Sequence, residues 1–174
     1  MALTDSVFVY PDLDTSSVEY APDFSTAGVR SWLRTGKMRD VLDFWNDIRQ
    51  FRRCPELCDV DLTSVPELSN WMILLERPVP GGDCLFRTVG RKIIELSHLD
   101  ITGQPLMALP DPEYRRMFQA NCDAVTRAAM PLASRYRRML KGQSFDFERL
   151  DLPLTLESGR VGGVLVGMHA AGVD

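Results

Sequence analysis

Four cysteines and two histidines have the widest chemical reach in this sequence, and their spacing decides what they can do. Cys54 and Cys58 form a C-x3-C pair with no second pair downstream. A structural zinc site needs about four ligands, and the remaining candidates, Cys84, Cys122, His98 and His169, are scattered. No metal site is expected from that spacing, and the cysteines read as small buried hydrophobes. With His98 and His169 far apart, no nucleophile–base–orienter set can be assembled, so no enzyme is expected. The pairs Gly81-Gly82 and Gly162-Gly163 lack the Lys-Ser or Lys-Thr that completes a phosphate loop. Paired carboxylates, Asp146 with Glu148 and Asp12 with Asp14, fall on strand or tail segments and read as solvated faces.

The most informative chemistry lies in Ser134-Arg135-Tyr136-Arg137-Arg138-Met139-Leu140-Lys141. A two-residue turn at Gly142-Gln143 sets Leu140 opposite Phe145, Arg138 opposite Phe147 and Arg137 opposite Glu148. On this register Tyr136, Leu140, Phe145 and Phe147 share one apolar face, the inner one, while Arg137 and Glu148 pair outside. Arg138 falls on the apolar face. A charge there needs a partner: a protein carboxylate, an acidic ligand held bidentately, or water reached by snorkelling from a sheet edge. Further on, the apolar parity switches to Leu150, Leu152 and Leu154, which predicts a bulge near Arg149 or Leu150. Pro153 calls for an edge or bulge position.

These residues must be positioned by a small set of elements. Val41, Leu42, Phe44, Trp45, Ile48 and Phe51 recur at helical spacing, predicting a helix over 36–53 that Pro55 ends. A short helical turn is expected from Thr63 or Ser64. Residues 71–76 and 84–89 read as strands joined by the turn at 78–83, and Gly90 breaks the second. A helix over about 112–128 carries the stripe Tyr114, Met117, Phe118, Cys122 and Val125. Three strands follow, over about 131–141, 144–156 and 160–170, joined by tight turns at 141–143 and 157–159. Hairpins on either side of a helical insert imply an α+β domain: one antiparallel sheet with helices on one face. Residues 1–35 read as an extension and linker, and 36–174 as the domain, its sheet core over about 70–170. The extension's Phe8, Tyr10, Tyr20 and Phe24 are too many aromatics for a free tail, so part of it should lie against the domain.

At 174 residues, with 45% hydrophobic and 25% charged, the chain reads as one globular domain able to bury a core without disulfides or metal. A net charge of −4 gives no positive field to draw in nucleic acid or an anionic membrane. No signal sequence or spanning apolar run is present, so a cytoplasmic location with reduced thiols is expected.

Four local motifs fall in a recognisable order. Trp45 and Arg49 on the first helix lead to Pro55 and Asp59-Val60-Asp61. Phe86-Arg87-Thr88-Val89-Gly90 ends a hairpin strand, Asp100-Ile101-Thr102-Gly103 follows, and Leu152-Pro153-Leu154 precedes the turn at Gly159. Over about residues 38–170 this order resembles a group of short bacterial PAS proteins. The resemblance implies a five-stranded antiparallel sheet with helices inserted between its second and third strands, enclosing a pocket. Such domains sense small molecules, cofactors or redox state, or bind proteins, and the fold does not fix which.

On that basis Phe86, His98, Phe118, Tyr136, Arg138, Phe147 and Met168 are the expected ligand-binding residues. The ligand's identity stays open: a small organic molecule is considered, while haem on His98 and flavin are not expected. Asn121-Cys122 resembles the Asn-Cys step of flavin-binding light sensors. Here, however, Asp123-Ala124-Val125 follows inside a long helix, so photochemistry is not expected. Leading helices in such proteins often pair two chains, which makes Phe44, Trp45 and Ile48 the expected homodimer interface. The expected function is a cytoplasmic sensor that binds a small molecule and signals through association with a partner protein yet to be identified. Two alternatives are an interaction module whose pocket is filled by its own side chains, and a haem or redox sensor through His98.

Overall fold

The computed structural model describes residues 12–174; Phe8 and Tyr10 lie outside the described residues. Its organising feature is a long hairpin, β4 (Leu132–Leu140) and β5 (Gln143–Thr155). Lys141 and Gly142 take φ of 51° and 78°, the paired positive values that turn a right-twisted two-residue hairpin. The turn therefore sits one residue earlier than the sequence suggests. Leu140 pairs with Gln143, Arg138 with Phe145, Tyr136 with Phe147 and Arg137 with Asp146. The expected pairing is displaced by two residues, and an even displacement leaves every side chain on its expected face.

β6 (Val161–Ala170) pairs with β5, β2 (Met72–Glu76) with β6, and β3 (Leu85–Val89) with β2, all antiparallel. β1 (Leu13–Tyr20) pairs with β4 on the other edge, giving the order β1-β4-β5-β6-β2-β3. The sheet thus has six strands rather than five, and the sixth comes from the segment read as an extension. Its alternation is hidden by a bulge. Asp14 accepts from the N–H and hydroxyl of Ser16 while Ser17 donates to Asp14's carbonyl, and the register with β4 shifts between Asp14 and Glu19.

Helices cover both faces, not one. α1 (Thr26–Trp32) and α2 (Gly36–Arg49) lie on the outer face. Thr35 caps α2 by accepting from the Met38 N–H. Met38, Val41, Leu42 and Trp45 of α2 pack on Leu150, Leu152, Leu154 and Leu165. Below Leu132, which pairs with Asp151, β4 has ended, so Pro153 has only β6 beside it. Its free carbonyl accepts from Trp45 Nε1 at 2.9 Å. Trp45 is therefore occupied by its own sheet and unavailable to a second chain. Phe44 and Ile48 are half-buried on the same helix. α2 ends at Arg49 because Gln50 turns to φ 53°, which leaves Phe51 fully exposed rather than on the apolar stripe.

The inner face carries α4 (Arg91–Ser97) and α5 (Pro112–Ala128) between β3 and β4, while α3 (Pro66–Ser69), at the entry to β2, packs through Leu68 on the outer-face core. Tyr114, Met117, Phe118, Cys122 and Val125 of α5 pack against this face. No bulge lies at Arg149 or Leu150, since pairing runs unbroken from Gln143 to Asp151. The strand is buried on both faces instead. Leu150, Leu152 and Leu154 face α2, and Arg149 with Asp151 faces inward, both fully buried. Arg149 donates to Asp151 through Nε at 2.8 Å and Nη2 at 2.6 Å. Its guanidinium lies 3.7 Å from the centre of the Phe118 ring. A neutralised polar pair takes the place of two apolar residues, which is what broke the hydrophobic alternation.

Candidate ligand-binding site

Between the inner sheet face, α4 and the start of α5 lies a cavity of about 260 Å³. Phe86, Phe118 and Met168 line it, as do Arg138 and, at an exposed position, His98. Five of the seven expected ligand-binding residues are thus brought together. Tyr136 and Phe147 are not among them. They stack on one another, with ring centroids 5.6 Å apart and planes at 20°, in the core beside Tyr114. Their strand parity places them on the correct face but says nothing about depth along it.

Each lining group is held by its element. Phe86 meets Phe118 edge to face at 5.6 Å. His98 closes α4 in a left-handed conformation, its N–H donating to the Ile94 carbonyl at 2.8 Å. Arg138 stands beside Leu13 in the β1–β4 ladder and is only 8% exposed. Its guanidinium carbon sits 3.5 Å from the centre of the Tyr114 ring. Its nearest carboxylate oxygen, Asp12 Oδ2, is 3.7 Å from Nη2, too long for a hydrogen bond. Arg138 Nε is buried and has no hydrogen-bond partner among the described residues.

Five polar lining residues lay outside the expected set: Asp12, Ser97, Asp111, Tyr114 and Lys141. Asp111 was legible only as a helix start ahead of Pro112. It caps α5 by accepting from the Glu113 N–H at 3.0 Å and ties down β1 by accepting from the Leu13 N–H at 3.2 Å. Asp12 lies in the supposed extension and carries no local signal. Burial pushes the Asp12 carboxyl up; Arg138 pulls it back and Asp111 pushes it further, and it stays above its ordinary value.

A chain of polar groups runs from the cavity through the core to Tyr20, which is 43% exposed. Arg149 Nη1 lies 3.5 Å from the Tyr114 hydroxyl, Asn121 Nδ2 donates to Asp151, and the Tyr20 hydroxyl donates to Asn121 Oδ1 at 2.9 Å. The Tyr136 hydroxyl is buried without a partner, and burial holds its acidity well below the ordinary level. In the same core the neighbouring Cys122 thiol and the Arg77 guanidinium draw the Cys84 thiol down to about 7 against burial. His169, on the outer face opposite Glu148, packs edge-on to Trp71 at 4.7 Å and takes no part in the cavity.

Residues 34–168 match the sequence profile of the PAS domain family. The chain belongs to that family. No curated protein matches the sequence. Among solved structures, VqmA bound to DPO is 13% identical with a TM-score of 0.51, the match covering 66% of this chain and 60% of that one. The VqmA–ligand–DNA complex of Vibrio cholera is 13% identical at a TM-score of 0.50, covering 64% of this chain and 51% of that one. A light-oxygen-voltage domain holding a flavin analogue is 12% identical at a TM-score of 0.49, covering 64% of this chain and 84% of its own. At such identities the likeness is one of PAS fold alone. No helix among the described residues is long and apolar enough to cross a membrane.

Proposed function

We propose that this PAS domain is a regulatory module that holds a small organic molecule in the cavity and reports its occupancy by associating with a partner protein. The observation that carries the reading is the cavity itself: about 260 Å³ left open against the inner core, walled mainly by aliphatic and aromatic side chains, with Asp12, Asp111, Arg138 and Lys141 as its charged groups. Ligand sites have that composition. VqmA, of the same fold, is bound to DPO in its own structure, which supports small-molecule binding as a use of this architecture. A ligand here would touch β1 through Asp12 and α5 through Tyr114 and Phe118. It would favour one arrangement of those elements to the extent that it binds that arrangement better.

Native mass spectrometry of the purified protein, with an absorbance scan of the same sample, tests the proposal. A reproducible mass excess that disappears on denaturation is expected, with no haem or flavin band in the scan. A bare mass, together with no thermal shift across a library of small metabolites, would refute it in favour of a module that only binds protein.

A further inference from the structure

The inner sheet face carries two buried arginines in contrasting states. Arg149 is fully buried, and its Nε and Nη2 both reach Asp151. Arg138 is almost as deeply buried, yet its Nε has no partner among the described residues and its Nη2 only a 3.7 Å approach to Asp12. Nε and Nη2 form one edge of the guanidinium, the edge that a carboxylate grips with two parallel hydrogen bonds. On Arg149 Asp151 fills that edge; on Arg138 it is unfilled, and Arg138 lines the cavity.

Resting on the ligand-binding reading, we infer that the cavity takes a small carboxylic acid, its carboxylate on the Nε–Nη2 edge of Arg138 and its apolar body against Phe86, Phe118 and Met168.

The local charges favour a monoanion. Asp111 is committed to the Leu13 and Glu113 N–H groups at the N-terminus of a 17-residue helix, whose partial positive charge offsets it. Lys141, also lining the cavity, makes no ion pair among the described residues. Arg138 and Lys141 therefore face Asp12 and an Asp111 whose charge the helix N-terminus offsets in part, which leaves a partial positive charge to be met. Asp12 is the competitor: it approaches the same edge, and its side chain is 39% exposed, so an incoming carboxylate can displace it into water. Size sets the rest. An apolar cavity of ~150 Å³ holds a benzene ring, so about 260 Å³ accommodates a ring or short chain plus an acid group.

The test is calorimetric titration at neutral pH and low salt with matched probes: phenylacetate against phenylacetamide, and hexanoate against hexanamide. The wild type, Arg138→Gln and Asp12→Asn are compared. The wild type should bind each acid at least about tenfold more tightly than its amide, as a charge-assisted pair of hydrogen bonds requires. Arg138→Gln should abolish that preference. Asp12→Asn should tighten acid binding by about two- to fivefold, a gain that a damaged fold would not produce. Equal affinity for acid and amide, or a preference surviving in Arg138→Gln, would overturn the inference. So would a retained ligand that denaturing mass spectrometry shows to be neutral or cationic. All three of those outcomes leave a ligand-binding PAS domain standing. No binding of any probe together with a bare native mass removes the ligand-binding reading as well.

Discussion

Replacing Asp151 with Asn removes one charge from an ion pair whose members are both fully buried. In the wild type Arg149 donates to Asp151 through Nε and Nη2 at 2.6 to 3.1 Å, and its remaining contacts are the Phe118 ring and a 3.5 Å approach to the Tyr114 hydroxyl. Asn keeps the shape but offers one acceptor oxygen and no charge. Breaking a buried pair this way costs about 3–5 kcal/mol, a large part of the roughly 5–15 kcal/mol that holds a domain folded. Urea unfolding at neutral pH measures it. Arg149→Met should be comparably harmful, because it leaves the Asp151 carboxylate buried without its cation. The double substitution Arg149→Met with Asp151→Leu removes both charges at once and should recover most of the loss, short of the roughly 1–3 kcal/mol that leaving Asn121 Nδ2 without its acceptor costs. A loss under about 1 kcal/mol in Asp151→Asn, or a double variant as unstable as either single one, would refute the reasoning.

Glu148 is another buried acid, clasped by the Arg34 and Thr35 N–H groups, the Thr35 hydroxyl and Arg135 Nε. Burial pushes its carboxyl up, but these donors outweigh burial and hold it below its ordinary 4.5. Its contribution is therefore complete above 4.5 and lost as the pH falls through the lower folded-state value. Glu148→Gln should cost about 1–3 kcal/mol at neutral pH and flatten the acid limb of a stability–pH curve; an unchanged limb would assign acid sensitivity elsewhere. On α2, Phe44 and Ile48 remain candidates for the proposed homodimer. Light scattering should show Phe44→Glu shifting a dimer toward monomer, with the fold retained by circular dichroism but the thermal midpoint lowered, since Phe44 also packs on the outer-face core. A wild type that stays monomeric at high concentration would end that proposal.

The order of elements was legible because helical periodicity, strand runs and Gly-containing turns agree from residue 36 to 170. β1 was not, because Asp14, Ser16 and Ser17 bond to one another and bulge the strand, which hides its alternation from any periodic reading. The face of Arg138 survived a two-residue error in hairpin register because side chains alternate with a period of two. Pairing partners did not survive it, so Arg137 meets Asp146 rather than Glu148. The carboxylates of the cavity were beyond reach for a different reason. Asp12 and Asp111 are separated in sequence by three strands and the helices between them, and the β1–β4 ladder, with Leu13 beside Arg138 and bonded to Asp111, brings them together.

The same contrast explains which misreadings matter for function. At Arg149 the sequence signal was a broken alternation, and the structure resolves it with a partner two residues away on the same strand face, so strand geometry alone satisfies the charge. At Arg138 the residue two further on is Leu140, which is apolar, and the residue two before it is Tyr136, whose hydroxyl is itself unpartnered. β4 therefore cannot neutralise Arg138 from within, and across the hairpin it faces Phe145. Among the described residues the one carboxylate that approaches it within 4 Å, Asp12, comes from just ahead of an edge strand and stops at 3.7 Å. A guanidinium kept in an apolar wall with its own strand and its hairpin partner unable to answer it is costly to the fold. That cost is offset when an acid from outside completes the pair, and the Asp12→Asn gain in acid affinity is the measurement on which this argument stands or falls.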